Sequence, residues 1–202
     1  MKKDGDILDE IGEIRQRGGI SGLTIKQLKT MSNDELDELP PIYYNIIQKI
    51  KFEKMNTMNV DDIFIENKEV IYIYGKSGSG KSKNAYKIIK DKGYTNFENV
   101  KYQNNFWIGM NGNSICAIYD DFRDSDMKVN EFLHFIDYNK HSLNVKGGHI
   151  ICNYKLIIIT SIIPPWKIYR NKTDEEQKQW LRRMRVFECN ENGELNEIID
   201  DL

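Results

Sequence analysis

Lys81 and Ser82 end a run of glycines and serines, and Asp120 and Asp121 close an apolar stretch further on. A lysine, a hydroxyl and paired carboxylates are what phosphoryl chemistry needs. They supply a cation for phosphate oxygens, ligands for a divalent metal and a base for water. The first group belongs to Gly75-Lys76-Ser77-Gly78-Ser79-Gly80-Lys81-Ser82, which fits the pattern G-x-x-x-x-G-K-[ST]. Glycines let successive backbone N–H groups converge on phosphate oxygens, and a following helix adds its positive end. The segment is therefore expected to cradle a nucleoside triphosphate. Lys81 would meet its β- and γ-phosphates, and Ser82 would offer its hydroxyl to Mg²⁺. Asp120 is expected to hold the same Mg²⁺ through water, leaving Asp121 to polarise the attacking water as general base. A kinase for a small metabolite would need only the first carboxylate, so the pair favours hydrolysis. Thr160-Ser161 closes a third apolar run, and either residue is placed to sense the γ-phosphate.

Such residues act together only if secondary structure brings them to one edge. "VIYIYG" before the glycine-rich loop, "SICAIYDDF" and "KLIIITS" read as buried strands. "KSKNAYKIIKDKG", "VNEFLHFIDYN" (Phe132, Phe135 and Ile136 on one face) and "TDEEQKQWLRRM" (capped by Thr173) read as helices. Continuous apolar strands between helices predict an α/β fold with a central parallel sheet flanked by helices. In such sheets ligands bind at the carboxyl ends of the strands.

The flanks read differently. Residues 1–22 are polar, with Gly18, Gly19 and Gly22 as a flexible linker. Residues 23–55 form a small helical module. Leu23, Ile25, Leu28 and Met31 have helical spacing, Ser32 and Glu35 make a capping box, and Pro40-Pro41 interrupt. Tyr43, Ile46, Ile47 and Ile50 then give an apolar face. The module is expected to have little core of its own and to pack on a neighbouring subunit or on the ATPase domain. That domain is assigned to 56–190, and 191–202 to an acidic tail.

Composition narrows the classes. The chain has 202 residues and a formal net charge of −2, which excludes a strongly basic protein but permits a local basic patch. Cys116, Cys152 and Cys189 lack metal-ligand spacing and read as reduced thiols of an intracellular protein. No apolar run approaches the roughly 20 residues of a membrane span.

Taken in order, "GKSGSGKS", "CAIYDDFRDSDM", "NVKGG", "IIITS" with its following prolines, and "WLRRM" resemble the superfamily 3 helicases. The similarity is greatest to the helicase domain of replication-associated (Rep) proteins of circular single-stranded DNA viruses and related plasmids, and spans about Lys51 to Glu188. The resemblance implies an AAA+-like P-loop NTPase that assembles as a hexameric ring around single-stranded nucleic acid, with nucleotide between subunits. It implies an arginine finger from the neighbouring subunit, and Arg182 or Arg183 matches that place. Lys146, with Gly147-Gly148 and adjacent His149, matches the motif on the loop that projects into the pore. There the glycines would allow a tight bend and the lysine would meet strand phosphates. The family's third motif usually ends Thr-Ser-Asn. Ile162 stands at the Asn place here, so Thr160 or Ser161 has taken its role or hydrolysis is impaired.

Full-length Rep proteins also carry a nuclease with a His-x-His pair. The histidines here are His134, His141 and His149, so nicking chemistry is expected to be absent. Residues 1–22 look like the segment after the nuclease tyrosine, with Lys3 as a remnant, and 23–55 like the oligomerisation segment. The expected activity is ATP- and Mg²⁺-dependent movement on single-stranded DNA in rolling-circle replication, by a homo-oligomer without membrane attachment. It would work in the host nucleus for a eukaryotic virus, or in the cytoplasm for a bacterial or plasmid-borne gene. The alternatives are an RNA helicase of the small-RNA-virus type, a P-loop kinase, and a truncated relic that binds ATP and DNA without turnover.

Overall fold

The computed structural model describes residues 23–58 and 60–198, and the chain divides into two units, Met1–Lys54 and Met55–Leu202. The linker expected over 1–22 lies outside the described residues, as do 199–202. Among the described residues no helix is long and apolar enough to cross a membrane.

The first unit holds α1 (Ile25–Thr30), α2 (Asn33–Asp37) and most of α3 (Tyr44–Met55). Thr24 and Ser32 cap α1 and α2, each reciprocated from three residues on by Gln27 and Glu35. Contrary to expectation, this module has a core of its own. Leu28, Leu36, Tyr43, Ile47 and Ile50 pack together, with Leu23, Met31 and Leu39 at its margin. Fully burying such a side chain contributes roughly 1.5–3 kcal/mol, so even a few hold short helices in place. Ile25 and Ile46, read as part of the apolar face, are exposed instead.

In the second unit, β1 (Glu69–Tyr74) leads through the glycine-rich loop into α4 (Lys81–Asp91). Three short strands follow, β2 (Glu98–Asn99), β3 (Lys101–Gln103) and β4 (Phe106–Ile108), then β5 (Cys116–Phe122) and α5 (Val129–Ile136). The hairpin β6 (His141–Val145) and β7 (Gly148–Cys152) precedes β8 (Leu156–Ser161), α6 (Asp174–Leu181), β9 (Arg185–Cys189) and β10 (Leu195–Ile198). The main sheet runs β10-β9-β1-β8-β5-β2. It is parallel except for β10, which pairs antiparallel with β9. This is the mostly parallel, helix-flanked α/β sheet expected of a P-loop NTPase. A second sheet, β3-β4-β6-β7, was not foreseen. Residues 191–202 are not simply a tail, because Leu195–Ile198 supply the sixth strand.

Alternation along the parallel strands sorts side chains into two layers. Ile71, Ile73, Cys116, Ile118, Leu156 and Ile158 pack with Ala85 and Ile89 of α4. Val70, Tyr72, Ala117, Tyr119, Ile157 and Ile159 face the opposite side, with α5, α6 and the inner face of the second sheet. The helices read from sequence are all present and shorter, because Asp137 and Arg182 end α5 and α6 as C-caps.

Candidate functional site

The loop after β1 is shaped by close approach and left-handed backbone. Any Cβ at Gly75 would collide with the Cys189 carbonyl oxygen at the end of β9. Gly78 (φ 80°) and Gly80 (φ 91°) take conformations that side chains resist. Gly80 is the N-cap of α4 and offers no side-chain cap, so the first N–H groups of the helix point into the loop unspent. The Ser79 hydroxyl is buried there without a partner among the described residues. Lys81 is buried, and its Nζ donates to the carbonyls of Gly75 (3.0 Å) and Lys76 (2.7 Å). Unspent donors, an orphaned hydroxyl and a lysine folded over the loop fit a polyphosphate. Ser77 and Lys76 stand at the exposed outer rim, where Lys76 pairs with Glu191 at 2.5 Å.

The strand ends complete the site. Asp120 shares parity with Cys116 and Ile118, so it points to the α4 side. Its Oδ1 accepts from Ser82 Oγ (2.7 Å) and from Thr160 Oγ1 (2.5 Å). Thr160 Oγ1 in turn accepts from the Asp121 N–H at 2.9 Å. The structure thus brings Lys81, Ser82, Asp120 and Thr160 to one edge and separates Thr160 from Ser161. Ser161 has the opposite parity. Its hydroxyl donates to the Phe122 carbonyl (2.7 Å), accepts from the Ile163 N–H (3.0 Å) and does not enter the site. Ile162, at the place of the family's Asn, is exposed.

Asp121 sits where the β5–β8 register slips, with φ 53°. A non-glycine residue there stores backbone strain, a feature that clusters at functional sites. Its carboxylate is exposed and paired with Arg123 at 3.0 Å. Two residues of this edge carried no signal in the sequence. Arg123 holds Asp121, and Lys101 sends its Nζ to the Asp120 carbonyl and over the Tyr119 ring.

A divalent ion bound to the phosphates would find Ser82 and Asp120 as protein ligands. Among the described residues no group of three or more His, Cys, Asp or Glu could hold a metal. Any Mg²⁺ would then take its remaining ligands from phosphates and water, as that ion commonly does.

The other candidate residues lie elsewhere. Lys146-Gly147 is the two-residue turn joining β6 to β7, with Gly147 at φ 91° and Val145 paired to Gly148. Lys146 and His149 are exposed. Arg183 is held by Asp137 (3.5 Å) and by the Gln179 carbonyl. Arg182, the C-cap of α6, is exposed, and its side chain makes no bond among the described residues.

Comparison with known proteins agrees with this geometry. Residues 71–163 match the RNA helicase family. The chain is 30% identical over 124 residues to the Replication protein of Onion yellows phytoplasma (strain OY-M), covering 60% of this chain and 32% of that protein. It is 35% identical over 115 residues to the Replication-associated protein of Beak and feather disease virus, covering 57% of this chain and 36% of that one. The chain therefore spans about a third of the length of these curated relatives. These matches agree with the resemblance read from the motifs and support a Rep-type superfamily 3 helicase domain.

Proposed function

We propose that the chain is the motor part of a replication protein, hydrolysing ATP with Mg²⁺ to move along single-stranded DNA as a ring of identical subunits. The observation that carries this reading is the meeting of Lys81, Ser82, Asp120 and Thr160 at the carboxyl edge of β1, β8 and β5. In this reading Lys81 exchanges its two carbonyl partners for phosphate oxygens. Asp120 and Ser82 would hold the metal, which would supply positive charge against the phosphate oxygens. Asp121 must leave Arg123 to take a proton from water, and Thr160 links its N–H to Asp120. Thr160 then fills the sensor role, so Ile162 does not by itself argue for a relic without turnover. Arg182 is the better candidate for the finger, since Arg183 is already tied to Asp137. Lys146 would meet the strand. Because the matching family is described as RNA helicase, an RNA strand is the second reading.

Phosphate release from ATP and Mg²⁺, measured over a range of protein concentrations with and without oligo(dT) or oligo(U), tests this. The expected rate rises more than linearly with protein, increases with oligo(dT), and drops about a hundredfold or more in Lys81→Ala. A linear rate indifferent to both oligonucleotides would overturn the ring-motor reading. Preference for oligo(U) would replace DNA with RNA.

A further inference from the structure

A groove of about 1240 Å³ lies outside the glycine-rich loop, between the β3–β4 turn, residues 124–128 after β5, the first turn of α5, Asn144 of β6 and residues 169–172. Small-molecule pockets run to roughly 300–1,000 Å³, so this volume suits a length of polymer better than a metabolite.

Its lining has a consistent chemistry. Asn105, Asn130, Asn144 and Asn171 all face it, and none of their side-chain amides is bonded among the described residues. Some asparagines elsewhere are spent on the fold. Asn56 holds the Ile151 N–H, Asn84 the Gly193 carbonyl, and Asn190 the Asn192 N–H. A side-chain amide offers donors and an acceptor together, which is what base edges require. Tyr102 and Tyr169 add aromatic surface, and Arg170 adds an exposed cation without an ion-pair partner among the described residues. Of the acids there, Asp124 and Asp126 are committed to the fold, while Glu131 makes no hydrogen bond or ion pair among the described residues. Asp124 accepts from the Tyr169 N–H (3.1 Å), and Asp126 accepts from the Arg123 N–H (3.1 Å) and the Tyr119 hydroxyl (3.0 Å). Tyr169 is itself held with φ 49°, its hydroxyl donating to the Met127 carbonyl at 3.1 Å. Strain of this kind persists at ligand clamps.

The groove is also continuous with the hairpin. Asn144 pairs across the strands with His149, and Lys146 is at the turn beyond it. A strand engaged at the turn could enter the groove over Asn144. We propose that this groove is a second subsite for single-stranded nucleic acid, holding the nucleotides next to those at the hairpin. Asparagines would meet base edges, tyrosines the base faces and Arg170 a phosphate. This rests on the motor reading above. A peptide is less suited, because peptide grooves work through apolar anchors or a free sheet edge, and this lining is mainly polar.

The test is fluorescence anisotropy of the full chain with fluorescein-labelled (dT)₂₀ and (U)₂₀ across a salt series. Mant-ATP binding and sedimentation velocity are read on the same samples. Arg170→Glu should weaken binding about tenfold and reduce the salt slope by about 0.7, the effect of losing one phosphate contact on a single strand. Asn130→Ala with Asn171→Ala should weaken it about threefold without changing the slope. Nucleotide affinity and sedimentation should stay as in the parent. If Arg170→Glu misfolds, Arg170→Ala serves, with a smaller loss and the same slope change. Unchanged oligonucleotide binding in these variants, alongside weakened binding in Lys146→Ala, overturns the groove and leaves the motor reading intact. Loss of assembly instead makes the groove a contact between subunits and overturns the proposal. Should the parent bind neither oligonucleotide, both readings fall.

Discussion

β8 buries every side chain from Leu156 to Ser161, whereas β6 buries Leu143 and leaves Ser142 and Asn144 outside. Helices cover β8 and its neighbours on both faces, whereas in the second sheet the described residues of this unit pack on the inner face. The first arrangement leaves the side chains at its carboxyl edge little freedom, so Asp120 and Thr160 can be held 2.5 Å apart. The second displays polar groups on a surface that is anchored from behind. In the proposed motor, chemistry that needs fixed distances would sit on the doubly covered sheet, and contacts that must form and release would sit on the other.

Equivalent truncations in the two sheets break or sharpen that comparison. Ile158→Ala removes a side chain with no exposed surface at all, between α4 and two strands. It should cost about 4 kcal/mol, near the top of the range for such changes, and lower the urea midpoint accordingly. Leu143→Ala removes a buried side chain from the second sheet, where the site can relax. A cost of about 2 kcal/mol is expected, and equal losses would erase the distinction. Lys146→Ala should leave the unfolding midpoint unchanged and weaken oligonucleotide binding severalfold, with a salt slope lower by about 0.7.

The smallest effect concerns His141 at the base of the hairpin. Burial, and then the stacked His134 ring 4.8 Å away, hold its pKa below the usual 6.5, although Asp137 at 3.7 Å pulls the other way. The unfolded chain then binds a proton more readily than the folded one. The contribution is full above pH 6.5 and is lost as pH falls below that value through the folded pKa. In His141→Asn the melting temperature should fall less steeply between pH 6.5 and 5.

Much of the nucleotide edge was legible because its signals are local. The glycine spacing, the paired aspartates and the apolar runs each lie within a few residues. The choice between Thr160 and Ser161 was not legible from spacing. It depends on which face of β8 meets α4, and that follows from pairing with β5 and β1. Lys101 and Arg123 were missed because long side chains reach across the fold without a pattern of their own. The second sheet was missed for a related reason, since β3 and β4 have three residues each, too few to show a period. Glu98 is a further case. It looks like a surface acid, yet it is buried and accepts from the N–H groups of Asn111, Asn113 and Ser114 and from the Tyr154 hydroxyl.

β10 has a practical consequence. It closes β9 with a fourfold register from Leu195 to Ile198, and Arg185 clamps the pair through Glu197. Its turn also holds the first turn of α4, where Asn84 donates to the Gly193 carbonyl. A shortened chain ending after Asn190 would leave Arg185–Cys189 as a naked strand edge, a template on which a second molecule can add its own strand. Trimming what looks like a dispensable acidic terminus would therefore show first as clumping and poor recovery, well before any change in catalysis could be read.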